Sequence, residues 1–212
     1  QLLDFPDLDE IHLVSNARYY PQFLEWKRFW EPELEKLEIS LRLYNDGICE
    51  NENRLGSIGD LEFVLDAGGL YARHALVAAG DSIFHFDLQP YAQTFAAKRK
   101  NFVLSNFEPE PEKLKRTGVL TLGENDRVIA FIEKPPTPPT HWSCLPFYFL
   151  TPPALLQIKN YRQSAQPHDA IGHYIRHLVE NLDVYALRVN GIRYDIGSIN
   201  GYTHACAELS KG

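Results

Sequence analysis

Methionine is missing from the sequence, even at the first position, and cysteine is scarce. The absent initiator indicates a fragment of a longer protein, or a sequence from which single residues were dropped. The three cysteines, Cys49, Cys144 and Cys206, are far apart and odd in number, so they fit neither a zinc site nor a disulfide framework. We therefore expect semi-buried thiols and a location in the reducing cytoplasm.

Long apolar runs are also lacking, and basic residues are in the minority. No stretch approaches the roughly 20 apolar residues that a membrane-spanning helix needs, and no signal-peptide pattern opens the sequence. The chain carries 21 lysines and arginines against 28 acids, a net charge of −7. Such a chain has no overall attraction for phosphate backbones, so we expect neither a nucleic-acid polymer nor a membrane as partner. An anionic small substrate would need local positive charge or a metal ion.

What the sequence does contain is a regular alternation of strand and helix patterns. The length of 212 residues suits one domain with a full core, so we assign residues 1–212 to a single domain. Alternating strands and helices predict an α/β fold with a mostly parallel sheet. Two short apolar runs on either side of residues 123–126 predict a β-hairpin, which we interpret as a small insertion on that sheet.

The prediction of a ligand-binding site starts from the segment Leu76–Phe84. Its apolar run ends in Gly80 and Asp81, which is typical of a buried strand of a parallel sheet followed by a turn. Ligands of such sheets bind off the carboxyl ends of the strands. Asp81 would offer the hard oxygen ligands that Mg²⁺ prefers. The alternative is an ordinary Gly-Asp turn.

A second acid, Asp195, ends another apolar run and is followed by Gly197. If Asp81 and Asp195 converge at one edge of the sheet, they form a Mg²⁺ site. Two unrelated turn aspartates are the alternative, and sequence spacing alone favours that alternative.

Glu133 and Lys134 follow a predicted strand and precede Pro135. Proline favours extended geometry in the residue before it, so we expect the two side chains to point to opposite sides. Lys134 could then reach a phosphate as a point charge, and Glu133 could accept hydrogen bonds from hydroxyl groups. A solvated charge pair is the alternative.

Two further segments contain candidate ligand contacts. Gly118, next to Thr117, could let a ligand lie against the backbone, or could simply begin a strand. The segment Arg54–Ser57 precedes a predicted helix and could present backbone N–H groups to an anion or a base, or could be a plain helix cap. His173 and His177 are four residues apart on a predicted helix, but without the glutamate of a metalloprotease motif we interpret them as a polar helix face.

Four short segments occur in a familiar order: Leu76–Ser82, Thr117–Val119, Val128–Pro135 and Tyr194–Ser198. In this order and separation the chain resembles the nucleotidyltransferases that join sugar 1-phosphates to nucleoside triphosphates. The resemblance runs from about residue 10 to residue 209. It implies a Rossmann-like three-layer sandwich and a Mg²⁺-dependent enzyme that binds a nucleoside triphosphate and a sugar 1-phosphate.

The resemblance also implies roles for individual residues. Asp81 and Asp195 would hold Mg²⁺, Lys134 would face the sugar phosphate, and Glu133 would face the sugar hydroxyls. A sugar-phosphate oxygen would attack the α-phosphorus of the nucleotide in line, and pyrophosphate would leave. Catalysis would be mostly positioning and charge stabilisation. The remaining implied substrate contacts are Gly118 and Tyr194 on the sugar side and Arg54, Gly56 and Ser57 beside the nucleotide base.

The sequence departs from the family pattern in its first part. The Gly-rich loop with a Gly-Thr-Arg-Leu core, which cradles the triphosphate, does not occur. We therefore expect the chain as given to bind nucleotide poorly and to turn over little or nothing. The loss of an inner strand would also leave a sheet edge exposed. Leu145-Pro146 stand where relatives often carry a glycine, and Tyr194 stands where they often carry tryptophan or phenylalanine.

Two other functions remain open from the sequence. One is a non-catalytic regulatory or scaffold subunit that keeps the fold without turnover. The other is a metal-dependent glycosyltransferase, since those enzymes also end a strand in aspartates. The nucleobase, the acceptor sugar and a homo-oligomeric state are not fixed by the sequence.

Overall fold

The structure, a computed structural model, describes residue 5, residues 7–164, residue 167 and residues 169–210. Two ends of the predicted single domain therefore lie outside the described residues, and its extent over residues 1–212 stays a prediction. Among the described residues, prolines stand in the first turns of four helices, where the missing N–H removes no helical hydrogen bond. No helix of the described ranges is both long enough and apolar enough to cross a membrane.

The helices and strands follow one another closely along the chain. The strands are β1 (Glu10–Ser15), β2 (Ser40–Asn45), β3 (Ala75–Ala78), β4 (Ser82–His85), β5 (Asn101–Phe107), β6 (Gly118–Leu122), β7 (Val128–Glu133), β8 (Trp142–Leu150), β9 (Val184–Arg188) and β10 (Ile192–Asp195). The helices are α1 (Tyr20–Lys36), α2 (Gly56–Gly68), α3 (Gln89–Lys98), α4 (Pro111–Leu114), α5 (Pro152–Arg162), α6 (Ile171–Asn181) and α7 (Ile199–Leu209).

The central sheet is mixed, which confirms the α/β fold class. Its strands follow the order β7–β6–β8–β5–β9, and β3 pairs with the other end of β8. In this sheet β5 and β9 run parallel, whereas β8 runs antiparallel to β3, β5 and β6. The predicted excess of parallel pairs is therefore wrong for the central sheet, because β8 enters it against the direction of each of its neighbours.

The predicted hairpin exists as β6 and β7, with Gly118 opposite Glu133. It continues the central sheet through the pairing of β6 with β8, so the hairpin lies on that sheet as predicted. Pro146 stands within β8 where the partner changes from β6 to β3, between the pairs Gly118–Cys144 and Ala78–Phe147. A proline is tolerated there because the ladder lacks a regular pair at that position.

Side chains on the two faces of the sheet build two apolar cores. Val103 and Leu120 lie in a core with the helices α2, α5 and α6, whereas Phe102 and Leu104 lie in a core with α3 and β4. Successive strand residues alternate between the cores, as a sheet covered on both faces requires. The helix–sheet–helix layering agrees with the predicted three-layer sandwich.

Strands β1 and β2 form a separate parallel pair, which α1 covers through a small core around Leu34, Ile39 and Leu41. Arg73, just before β3, is ion-paired with Asp9, just before β1, so the two strands begin close together. Among the described residues β1 pairs only with β2, and β3 pairs only with β8. Each therefore has one open edge, and β3 is a half-covered edge strand, not the buried parallel strand that its apolar run predicted.

Candidate active site

Asp81 and Asp195 meet because β4 and β10 pair. Asp81 lies in the turn between β3 and β4, and Asp195 is the last residue of β10. The two strands are antiparallel, with Asp195 opposite Ser82, the residue after Asp81. The backbone N–H of Ile196 extends the pairing by donating to the carbonyl oxygen of Asp81 at 2.9 Å. A local antiparallel pair, and not two parallel strand ends, therefore brings the predicted acids together.

Gly197 lies between the two carboxylates. A β-carbon built on Gly197 would be 3.0 Å from Oδ2 of Asp81 and 3.3 Å from Oδ1 of Asp195. The backbone N–H of Gly197 donates to that same Oδ1 at 3.0 Å, an Asx turn that fixes the orientation of the Asp195 carboxylate. Both acids are exposed to solvent. The absence of a side chain at position 197 leaves room for both groups around one point.

Arg193 shares the face of β10 that carries Asp195, since residues two apart in a strand point the same way. Its Nη1 donates to Oγ of Ser82 at 3.0 Å, and its Nη2 donates to Oδ2 of Asp195 at 3.3 Å. The sequence reasoning did not single out Arg193. The alternation of a strand that ends in Asp195 was the signal that could have found it.

Tyr194 lies between these two residues and therefore points to the other face of β10. There its ring meets His204 of α7, with 6.0 Å between the ring centroids. Its predicted contact with substrate would need a ligand on that opposite face, and it stays a prediction.

The carboxylate of Glu133 lies at the first turn of α6. It occupies the space directly against the Cα of Gly172, where a larger residue would place its β-carbon. Burial raises the pKa of this carboxyl, Lys134 and His173 lower it, and Asp169 raises it again. Gly172, His173 and Asp169 are more than 35 residues from Glu133 in the sequence, so no local pattern joined them to it.

Lys134 does not have the extended geometry that its position before Pro135 predicted. Its φ is 46°, in the left-handed region, and its N–H donates to the carbonyl oxygen of Thr117 at 3.1 Å. The prediction is wrong because β7 ends at Glu133 and Lys134, bonded through its N–H to Thr117, adopts a left-handed turn conformation. The side chain is exposed, and the hydrogen bonds and ion pairs of the described residues do not join it to Asp81 or Asp195.

Gly118 is buried beneath the ring of Phe131, which fills the space a β-carbon would need. Packing alone thus gives a reason for glycine at this position. The predicted contact of Gly118 with a sugar stays a prediction, and a ligand could not use the face that Phe131 covers.

The segment before α2 divides between two places. Arg54 lines a cavity of about 210 Å³ at the carboxyl ends of β1 and β2, together with Asp46 and Asp60. Gly56 begins α2 with a φ of 74°, which glycine adopts without strain. Ser57 instead turns to the loop before α6, where its hydroxyl donates to the carbonyl oxygen of Asp169 at 3.1 Å and its N–H donates to the same oxygen at 3.4 Å. That N–H is therefore already engaged and is not free for a base.

Burial raises the pKa of the Tyr148 phenol well above its ordinary value, Cys144 and Glu133 raise it further, and Arg193 lowers it. Glu133 and Arg193 therefore both act electrostatically on this one side chain of β8.

The donor set at Asp81 and Asp195 fits a hard divalent cation. Within the described ranges, no group of three or more histidine, cysteine, aspartate or glutamate side chains is arranged to hold a metal ion. Mg²⁺ commonly binds through one or two carboxylates and takes its other oxygen ligands from water and substrate phosphates. A pair of carboxylates around an open point is consistent with that mode.

Two other predictions need correction. His177 does not lie on a polar helix face, because its ring packs against Tyr161 and Tyr174, and burial lowers its pKa. The cysteines are not uniformly semi-buried: Cys144 is buried within the sheet, whereas Cys49 and Cys206 are exposed.

Comparison with known proteins bears directly on this geometry. The family model described as "Nucleotidyl transferase" matches residues 12–212. The chain is 25% identical to a glucose-1-phosphate adenylyltransferase of Pseudothermotoga lettingae over 140 residues, which is 64% of this chain and 33% of the relative. It is 27% identical to the same enzyme of Geobacillus stearothermophilus over 146 residues, 64% of this chain and 36% of the relative. The chain thus spans about a third of the length of these curated relatives.

A solved structure has the same fold. The structure of a UDP-glucose pyrophosphorylase complexed with UDP-glucose superposes with a TM-score of 0.75 at 14% identity. The superposition covers 96% of this chain and 81% of that one. At this identity the likeness establishes the fold, including the mixed sheet, and leaves the chemistry to the residues of the site.

Proposed function

Because this chain belongs to the nucleotidyl transferase family, we propose that the protein joins a nucleoside triphosphate to a sugar 1-phosphate and releases pyrophosphate. The observation that carries the proposal is the meeting of Asp81 and Asp195 around Gly197. Two exposed carboxylates at one point suit the binding of a divalent cation beneath phosphorylated ligands. We propose Mg²⁺ as that cation.

Mg²⁺ would supply charge stabilisation for the phosphoryl oxygens when bound. Asp81 and Asp195 would hold it, and the Asx turn at Gly197 keeps the second carboxylate aimed at the shared point. Lys134, exposed at the end of β7, would approach the sugar phosphate as a point charge. These residues would position the substrates and stabilise negative charge, which is the main contribution a protein makes to phosphoryl transfer.

The substrate contacts are proposed separately for the sugar and for the nucleotide base. Glu133, held against Gly172, is proposed to accept hydrogen bonds from the sugar hydroxyls. Gly118 and Tyr194 are proposed on the sugar side. A ligand would have to approach Gly118 from the side that the ring of Phe131 leaves open. It would have to approach Tyr194 on the face of β10 opposite to Asp195. Arg54 and Gly56 are proposed beside the nucleotide base, where the cavity at the ends of β1 and β2 lies.

Ser57 would act by holding the start of α2 to the loop that carries Asp169, through its two bonds to that carbonyl oxygen. The unpaired state of the three cysteines is consistent with the cytoplasm as the proposed compartment. The identity of the base and of the sugar, and a homo-oligomeric state, are left to experiment.

Because the chain as given is expected to turn over little or nothing, the experiment is an assay of pyrophosphate release by the full-length protein, with Mg²⁺, glucose 1-phosphate and each of the common nucleoside triphosphates. Asp81→Asn and Asp195→Asn should each lower the rate by about 100-fold or more, because several kcal/mol of charge stabilisation depends on the cation. The matched control is Asp183→Asn, which removes an exposed acid paired with Arg127 on another part of the surface. It should leave the rate unchanged.

Activity that survives both substitutions would overturn the metal assignment. A wild-type protein that binds the substrates and releases no pyrophosphate would instead identify a non-catalytic relative. Consumption of a nucleotide sugar with transfer of its sugar would identify a glycosyltransferase.

A further inference from the structure

We propose that Arg193 is a phosphate-binding residue of the site. Its guanidinium would donate hydrogen bonds to an oxygen of the sugar phosphate bound beside Asp81 and Asp195. The inference rests on the proposed function. It adds a positively charged side chain, Arg193, which lies at the acid pair itself. The contacts of the described residues give Lys134, the other positively charged side chain of the proposal, no ion pair or hydrogen bond to either aspartate.

Arg193 is held in place both by its backbone and by its side chain. Its backbone belongs to β10 opposite Phe84 of β4, and its guanidinium bridges Ser82 and Asp195. The side chain is 21% exposed, so its stem is packed while part of its head reaches solvent. A guanidinium held in this way loses little further conformational freedom when it binds a ligand.

Hydrogen-bonding capacity remains after these contacts. A guanidinium has five N–H donors in a planar fork, and Ser82 and Asp195 are its hydrogen-bond partners among the described residues. The bond to Asp195 is long, at 3.3 Å, and each carboxylate oxygen accepts more than one bond. Asp195 can therefore keep Arg193 and also bind a cation, while the free donors of Arg193 suit two oxygens of a phosphate group.

The charges favour an anion next to a bound cation. Asp81, Asp195 and Arg193 together carry one net negative charge. With a divalent cation in place the group becomes positive by one charge, which attracts a phosphate. Without the guanidinium the same group would be neutral when the cation is bound. Arg193 should thus strengthen phosphate binding and, as a like charge, weaken the binding of the cation alone.

A purely structural role makes a different prediction. If Arg193 served only to join β4 to β10, its loss would loosen the acid pair, and the cation and the phosphate would both bind more weakly. The two roles can be separated because they require changes of opposite sign in the affinity for the cation.

The test is calorimetric titration of Arg193→Gln with Mg²⁺ alone, and then with glucose 1-phosphate in saturating Mg²⁺. We expect the affinity for Mg²⁺ to stay the same or to rise, and the affinity for glucose 1-phosphate to fall about tenfold or more. Arg193→Lys keeps the positive charge but not the planar guanidinium with its paired donors. Its affinity for glucose 1-phosphate should therefore lie between those of the wild type and Arg193→Gln.

Two control variants make the outcome decisive. Ser82→Ala removes one anchor of the guanidinium and no charge, so it should weaken glucose 1-phosphate binding less than Arg193→Gln does and leave the affinity for Mg²⁺ nearly unchanged. Arg188→Gln removes an exposed arginine of β9 that is paired with Asp126, outside the site, and should change neither affinity. Unchanged glucose 1-phosphate affinity in Arg193→Gln would overturn the proposal. A loss of Mg²⁺ affinity together with glucose 1-phosphate affinity in Arg193→Gln would also overturn it, because a purely structural role predicts that result.

Failure of this inference is distinguishable from failure of the proposed function. Pyrophosphate release in the wild type tests the function, and the titrations do not depend on turnover. A wild-type protein that binds Mg²⁺ but not glucose 1-phosphate would overturn the role of Arg193, because the anion it is proposed to hold would be absent.

Discussion

The carboxylate of Glu133 lies in the space directly over the Cα of Gly172, at the first turn of α6. A β-carbon at position 172 would overlap a carboxylate oxygen of Glu133, so the glycine leaves the space that this carboxylate occupies. The contact joins the end of β7 to a helix almost 40 residues away in the chain. It therefore sets where the proposed sugar ligand finds its hydrogen-bond acceptor.

Gly172→Ala should displace the Glu133 carboxylate and weaken the binding of glucose 1-phosphate by about tenfold, as expected when a positioned group moves by about 1 Å. Urea unfolding should show a loss of about 1–3 kcal/mol from overpacking. The same substitution in a Glu133→Ala background should cost clearly less stability, since the overlapping group is gone. Equal losses of stability in both backgrounds would show that overlap with Glu133 is not the cause.

Gly197→Ala should reduce Mg²⁺ affinity while leaving the melting temperature nearly unchanged. The new methyl group would lie 3.0 Å and 3.3 Å from oxygens of the two aspartates, in the space the cation needs. Both acids are exposed, so the fold itself has little to lose. Calorimetric titration with Mg²⁺ measures the effect.

Gly80→Ala is the matched control for this change. Gly80 immediately precedes Asp81, but nothing lies within 4 Å of a β-carbon built there. Its Mg²⁺ affinity should equal that of the wild type. An equal loss in both variants would show that the loop, and not the space between the acids, determines binding.

Asp60→Asn should stabilise the protein at neutral pH. Burial, reinforced by the nearby charge of Asp46, raises the pKa of Asp60 to about 6 from an ordinary value of 3.8. Its Oδ1 is buried and has no hydrogen-bond partner among the described residues. Below pH 3.8 the carboxyl is neutral in both states and costs nothing. Above about pH 6 the folded state carries the full penalty of the buried charge.

The gain in the free energy of unfolding should therefore grow as the pH rises from about 4 to about 6, and stay constant above. We expect about 1–2 kcal/mol, after allowing for solvent screening of a half-exposed group. Urea unfolding at pH 4 and pH 7.5 measures it, with Asp183→Asn as the exposed control. A gain of the same size at both pH values would contradict the assigned titration.

Gly118→Ala should destabilise the protein by about 1–3 kcal/mol, because the methyl group would overlap the buried ring of Phe131. Phe131→Leu should relieve part of this loss when the two changes are combined. Thermal unfolding of the two single variants and the double variant gives the coupling. If the losses simply add, the ring is not the cause.

The fold class and the two candidate acids could be predicted from the sequence, since both depend on short local patterns. Asp81 and Asp195 each follow an apolar run and stand near a glycine, and those runs are strands in the structure. Their meeting was implied only by the resemblance to the nucleotidyltransferases. Arg193 was within reach of the same local reasoning, because residues two apart in a strand share a face.

Contacts between distant segments could not be predicted in this way. Ser57 and Asp169 are 112 residues apart, and nothing in either segment specifies the other. The direction of β8 depends on the path of the chain through the whole sheet, so the apolar runs alone gave too many parallel pairs. At Lys134 the rule for a residue before proline was overridden by a single hydrogen bond to Thr117.

Among the described residues, β1 and β3 each have one edge without a strand partner. An extended segment, from a longer form of the protein or from a second copy, can add to such an edge as a new strand. The net charge of −7 opposes the approach of two copies over distances comparable to the Debye length. Concentrated salt screens this repulsion and should therefore favour pairing between the edges of two copies.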